Sequence, residues 1–143
     1  MTRPGHPRDR LLEQIIEWFA ANGVLDTSMR TLAAGVGTSN RMLNYHFGSR
    51  EQLLAAVVTR VCESEQDALE SCLGATEDPV EAGVQYWHHA AETARVFAPL
   101  FFELAAHAMY GKAYADGLRR TLTEAWLSGY RKGFARVDRK SVV

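Results

Sequence analysis

The sequence predicts an all-α chain, and three observations carry that prediction. Apolar residues recur at three- and four-residue spacing through most of the 143 residues. No stretch alternates with period two. Glycine, serine and proline punctuate the pattern where helices should start and stop. The expected layout is a three-helix unit at the front, joined by a long helix to an α-helical body.

Each element follows from its own residues. Pro4, Gly5 and Pro7 mark residues 1–8 as a flexible lead. From Asp9 onward, Leu11, Leu12, Ile15, Ile16 and Phe19 form one helical stripe, which Asn22 and Gly23 stop. Thr27 and Ser28 offer an N-cap to a short helix carrying Met29, Leu32, Ala33 and Val36. Gly35 and Gly37 end it, one of them in the left-handed conformation that closes a helix. Ser39 caps the next short helix, with Met42 and Leu43 as its apolar face and Gly48 as its break. Ser49 followed by Gln52 is a capping box. It opens a long helix with Leu53, Leu54, Val57, Val58, Val61, Cys62, Leu69 and Leu73 on one stripe.

The second half reads less sharply. Asp78 and Pro79 resemble an N-cap with proline at the first helical position. A helix marked by Val80, Val84, Trp87 and Ala91 follows, over about 79–92. Pro99 is expected to open another, over 96–110, rich in Leu100, Phe101, Leu104, Ala105, His107 and Ala108, with Gly111 as its stop. A last helix spans roughly 114–134, with Leu118, Leu122, Trp126 and Tyr130. These elements divide the chain into a lead (1–8), a front unit (9–48) and a body (49–143).

Composition excludes several classes of function. Hydrophobic residues at 47% and charged residues at 23% are an ordinary globular balance. The net charge of −1 gives no gross attraction to nucleic acid, but it hides an asymmetry. Through residue 60 there are seven basic and five acidic residues, a net of +2, whereas residues 61–130 carry a net of −7. A polyanionic partner therefore belongs at the front. Cys62 and Cys72 lie ten residues apart on one predicted helix, about 15 Å of rise, which a disulfide cannot span. Two thiols fit a reducing compartment. No segment is long and apolar enough to cross a membrane, and MTRPGHPRDR lacks the apolar core of a signal peptide, so the chain is expected in the cytoplasm, away from any membrane.

Catalytic and metal chemistry find little support. His88 and His89 are neighbours and point about 100° apart on a helix. Glu103 and His107 have the spacing of a metal pair but need further ligands from elsewhere. There is no Gly-rich phosphate loop, nucleophile elbow or paired-cysteine motif. No catalytic residue, metal or cofactor is expected.

The front end carries the sharper signal. Two short helices separated by a glycine-containing turn form a helix-turn-helix. The second begins at Ser39 and sets Asn40, Arg41 and Asn44 away from the Met42 and Leu43 face. In such units the N-terminal residues of the second helix meet base edges in the DNA major groove. Arginine can grip guanine with two hydrogen bonds, and asparagine can do the same with adenine. Free N–H groups at the helix starts near Ser28 and Ser49 attract phosphate. A polar turn in an ordinary helical bundle is the competing reading.

Residues 32–54, LAAGVGTSNRMLNYHFGSREQLL, resemble the DNA-binding signature of the TetR family of bacterial transcriptional regulators. Leu32, Ala33, Gly37, Ser39, Leu43, His46, Phe47, Arg50 and Leu53 fall in register with it. The resemblance covers about residues 9–60; beyond them it is architectural. Three positions depart from the pattern: Asn44 replaces an aromatic, Met42 replaces threonine, and Arg50 replaces lysine. The resemblance implies a phosphate contact by Arg50 and, with Tyr45 displaced by one position, a phosphate contact there too. The full set expected to face double-stranded operator DNA is Thr27, Ser28, Ser39, Asn40, Arg41, Asn44, Tyr45, His46 and Arg50. His46, together with Phe47 beside it, is also expected to pack the front unit onto Leu53.

The resemblance further implies a homodimer that reads a palindromic operator, and a body that encloses an unknown small-molecule effector. The residues expected around such a pocket are Trp87, His88, Phe101, His107, Tyr110, Tyr114 and Trp126, with His107 and Tyr110 as its polar tips. Family members generally continue with two more helices that form the dimer interface, whereas this chain stops after the helix at 114–134. Apolar surface at Phe101, Leu118, Leu122 or Trp126 is then expected to be left open. The function this predicts is a ligand-responsive DNA-binding repressor, not an enzyme. The rivals are a helical enzyme or carrier using His88, His89 or His107, and a ligand-binding or dimerisation protein that has lost operator binding.

Overall fold

The computed structural model describes residues 5–120 and, beyond them, 123–124, 127–128, 130–132 and 134–135. Within these residues the chain is all-α, with no strand. The first helix, α1, runs Pro7–Asn22, two residues earlier than the apolar stripe suggests. Pro7 sits at the first helical position, where its missing N–H costs nothing, and the His6 ring accepts from Arg8 N–H. Gly23 ends α1 at φ +82°, a conformation that favours glycine, and its N–H returns to the Phe19 carbonyl.

The helices α2 (Met29–Gly35) and α3 (Asn40–Phe47) follow, capped by Ser28 and Ser39 through bonds from Thr31 N–H and Met42 N–H. Between them Gly37 adopts φ +73°. Gly35 has a different reason to be glycine. A Cβ there would run into the ring of Trp18, so α2 can lie against α1 only without a side chain at this point. Helix α4 (Arg50–Ala75) opens with the expected capping box, Ser49 and Gln52 each bonding the other's backbone N–H.

The next helix corrects the sequence reading. Helix α5 runs unbroken over Pro79–Met109 and carries Pro99 inside it. An internal proline costs about 3 kcal/mol. No glycine or asparagine stop precedes it, and Leu100, Leu104, His107 and Ala108 beyond it are all buried, so packing holds the helix through the defect. Its inward face is also different. Ala82 and Tyr86 are buried, whereas Val80, Val84 and Trp87 face solvent. After Gly111, at φ +73°, a 3-10 turn over Ala113–Ala115 leads into α6, Asp116–Arg120. The described residues past 120 are helical as well. Leu122 and Trp126 lie outside the described residues. Leu118 is buried rather than open, and Phe101 is half-buried.

One core runs through the whole arrangement. Leu12, Ile15 and Phe19 of α1 join Leu32 of α2 and Leu43 and Phe47 of α3. The same cluster continues through Leu53, Leu54, Val57 and Val58 of α4 to Leu100 and Leu104 of α5 and Leu118 of α6. The three front helices, here called the head, are thus backed by α4 and α5.

Candidate nucleic-acid interface

Helix α3 is polar on one side and anchored on the other. Leu43 and Phe47, one turn apart, are buried in the core. Counting about 100° per residue, Arg41 and Tyr45 project opposite Leu43, and Asn44 projects to the flank. Asn40, Arg41, Asn44 and Tyr45 are all exposed, Tyr45 by 78%. None of their side chains is used in a hydrogen bond or ion pair among the described residues. Among the described residues the Tyr45 ring makes one ring contact, edge to face with His46. Met42 is partly exposed beside them. The face therefore offers a guanidinium, two amides and a phenol, all free to bind something outside the chain.

The rear of the helix is held firmly. Arg8 donates from Nε to the His46 carbonyl at 3.1 Å, and its guanidinium carbon lies 4.8 Å from the centre of the Phe47 ring. A cation at the last turn of a helix complements its dipole, and over an aromatic face it adds a cation–π contact. Arg8 thus ties the start of α1 to the end of α3. Its role could not be read from the sequence, because Arg8 falls in the lead expected to be flexible. His46 is half-buried and packs at this seam, while Phe47 joins the core cluster with Leu53.

Two expected DNA-facing residues point elsewhere. Thr27 is buried, and its hydroxyl donates to the Gly23 carbonyl at 2.8 Å, which stabilises the turn after α1. Ser28, not Thr27, provides the exposed cap. Arg50 is half-buried and turned inward, donating to the carbonyls of Thr27 at 2.5 Å and Val24 at 2.8 Å. Two of its five N–H donors are thus spent on the loop rather than turned to the outer surface. Ser28 and Ser39 remain at the surface as caps.

The loop at 23–27 is gripped from a second direction. The Glu103 carboxylate, on α5, accepts from Val24 N–H at 2.9 and 3.1 Å and from Leu25 N–H at 2.8 Å. Successive backbone N–H groups aimed at one carboxylate form an anion nest. The loop is therefore held between an anion on α5 and a cation on α4. In sequence Glu103 stands out only by its four-residue spacing from His107. The better signal was a lone acid in the apolar stretch PLFFELAAHAM, which demands a partner. Among the described residues no group of histidines, cysteines and acids could hold a metal.

The expected pocket residues separate into two groups. His107 is buried and bonded through Nδ1 to the Tyr114 hydroxyl, with the two rings edge to face at 5.8 Å. Both line a cavity of about 470 Å³. The cavity does not lie within the body. It lies where Val24 and Leu25 of the loop meet Arg50, Leu54 and Ala55 of α4 and the 107–114 connection. Trp87 and Tyr110 are 71% and 83% exposed, and neither they, His88 nor Phe101 lines it. Trp126 lies outside the described residues. Burial pushes the Tyr114 hydroxyl above its ordinary pKa; the nearby Arg50 opposes this, and Glu103 and Glu51 add to it. One positive and two negative side chains therefore sit near the Tyr114 hydroxyl at the junction.

Comparison with known proteins agrees with this geometry. Residues 11–57, from α1 into the first turns of α4, match the family model of bacterial regulatory proteins, tetR family. No solved structure gives a significant match to the chain.

Proposed function

We propose that this chain, a member of the tetR family of bacterial regulatory proteins and so a DNA-binding transcriptional regulator, is a cytoplasmic repressor released from a palindromic operator by a small apolar or aromatic effector. The observation that carries the reading is the outward face of α3. Asn40, Arg41, Asn44 and Tyr45 are exposed and unbonded on a helix whose other side is fixed by Leu43, Phe47 and Arg8. Asn40, Arg41 and Asn44 read base edges; Tyr45 and the caps at Ser28 and Ser39 meet the backbone. Repression needs only occupancy of a promoter, so this surface suffices. In this division of labour residues 9–48 read DNA, and residues 49–143 bind the partner and supply most of the wall around the effector.

A palindrome calls for a two-fold dimer. Val80, Val84 and Trp87, at i, i+4 and i+7 on α5, form an exposed apolar stripe, with Phe102 exposed further along. This stripe supports a homodimer through α5. Mobility shift on the DNA upstream of the chain's own gene tests the function: the wild type retards a specific fragment, and Arg41→Ala retards it only at several-fold higher protein concentration or not at all. Equal retardation by both would sink the reading.

One observation favours a second reading. Arg50, the expected phosphate contact, is committed to the Thr27 and Val24 carbonyls. A protein that kept the fold as a ligand-binding or dimerisation module and lost operator binding could look like this. It predicts no retardation of any fragment at low salt.

A further inference from the structure

The junction cavity has more hydrogen-bond donors than acceptors. Arg50 donates to the Val24 and Thr27 carbonyls, which uses two of the five N–H groups of a guanidinium. Lys112 lines the cavity, and its exposed ammonium makes no hydrogen bond or ion pair among the described residues. Three acceptors nearby are already engaged. Glu103 accepts from Val24 and Leu25 N–H, Gln52 Oε1 accepts from Ser49 N–H, and His107 Nδ1 pairs with Tyr114. Glu51, exposed at the rim, makes no side-chain hydrogen bond or ion pair among the described residues. The rest of the lining is apolar: Val24, Leu25, Leu54, Ala55, Ala113 and the ring of Tyr114. Spare cationic donors above an apolar wall call for a ligand with an anionic acceptor at one end and hydrocarbon at the other.

We propose that this junction cavity binds a small aromatic monocarboxylate, its carboxylate held by Arg50 and Lys112 and its ring against Val24, Leu54 and Tyr114. Such a ligand touches the loop at 23–27 and the arginine that holds it. Occupancy therefore biases how the head is seated on α4 and α5. Carboxylate and DNA then oppose each other by the same factor in both directions, on the order of 5–150-fold. This consequence rests on the repressor reading above; the binding itself does not.

Calorimetric titration of the full chain tests the site, with 2-naphthoate and benzoate as probes and the uncharged 2-naphthamide as control. Naphthoate binds and raises the melting temperature, and the amide binds at least tenfold more weakly. Lys112→Ala, a surface change that leaves folding intact, weakens naphthoate tenfold or more. Glu51→Gln, which removes the opposing charge at the rim, tightens it. Equal binding of acid and amide, no binding of either acid at millimolar concentration, or indifference to Lys112→Ala overturns the proposal. Mobility shift with and without naphthoate separates the two readings. If DNA is retarded but no carboxylate binds, the site falls and the repressor stands. If naphthoate binds and no DNA is retarded, the site stands and the repressor falls. Naphthoate that binds without changing retardation removes the coupling.

Discussion

The outer face of α3 and the loop at 23–27 are both polar and both belong to the head, yet the fold treats them oppositely. In the loop, the N–H groups of Val24 and Leu25 go to Glu103, the carbonyls of Val24 and Thr27 go to Arg50, and the Gly23 carbonyl goes to Thr27. On α3, the side chains of Asn40, Arg41, Asn44 and Tyr45 stand exposed with no hydrogen bond among the described residues. The difference separates two uses of polarity. Groups satisfied within the chain hold the head in place. Groups left exposed on a rigid surface are available to a partner from outside.

The sharpest way to break this contrast is to remove the support behind α3. Leu43 is fully buried, and Leu43→Ala should cost about 2–5 kcal/mol of stability, read as a lower midpoint in urea. It should weaken DNA binding only through unfolding. Glu103→Gln keeps the shape of the side chain but removes the charge that two N–H groups address. It should cost about 1.5–3 kcal/mol, with faster amide exchange at Val24 and Leu25 as the local sign. A change below about 0.5 kcal/mol would mean that the nest contributes little.

Smaller effects sharpen the same line. Ser39→Ala removes the bond to Met42 N–H and should cost about 0.5–2 kcal/mol, with DNA binding falling in proportion. The smallest effect concerns pH. Burial raises the pKa of Tyr114, and burial with Glu65 nearby raises that of Tyr86 further, so both prefer their proton in the folded state. Their contribution is complete below the ordinary tyrosine value of 10.0 and is lost as pH rises beyond it. Thermal melting should therefore decline at alkaline pH, and less steeply in Tyr114→Phe.

The head was legible because its signals are local. Ser28, Ser39 and Ser49 cap the helices that follow them, and Gly23, Gly37 and Gly48 take the positive φ values their positions require. A cap and its helix lie within four residues, so sequence holds both halves of the interaction. The body was less legible because its signals are distant. Proline 99 reads as a helix start, yet core contacts made by Leu100 and Leu104 carry α5 through it. Val80, Val84 and Trp87 mark the helix in sequence, yet Ala82 and Tyr86 are the residues it buries. Nothing near Glu103 in sequence announces Val24, which lies 79 residues earlier. For the same reason Arg50 reads as a surface cation until its partners across the loop are seen. The Asn44 departure also becomes clearer in three dimensions: the aromatic lies one position on, at Tyr45, which projects with Arg41 from the outermost part of α3.

The most direct test of the central claim, that α3 reads DNA by its free outer face, is fluorescence anisotropy of wild type and Arg41→Ala on the retarded fragment and on a scrambled one. Arg41→Ala should lower the ratio of specific to scrambled affinity by roughly 5–150-fold, the equivalent of about 1–3 kcal/mol, with its melting temperature unchanged. A ratio equal to that of the wild type would contradict the account.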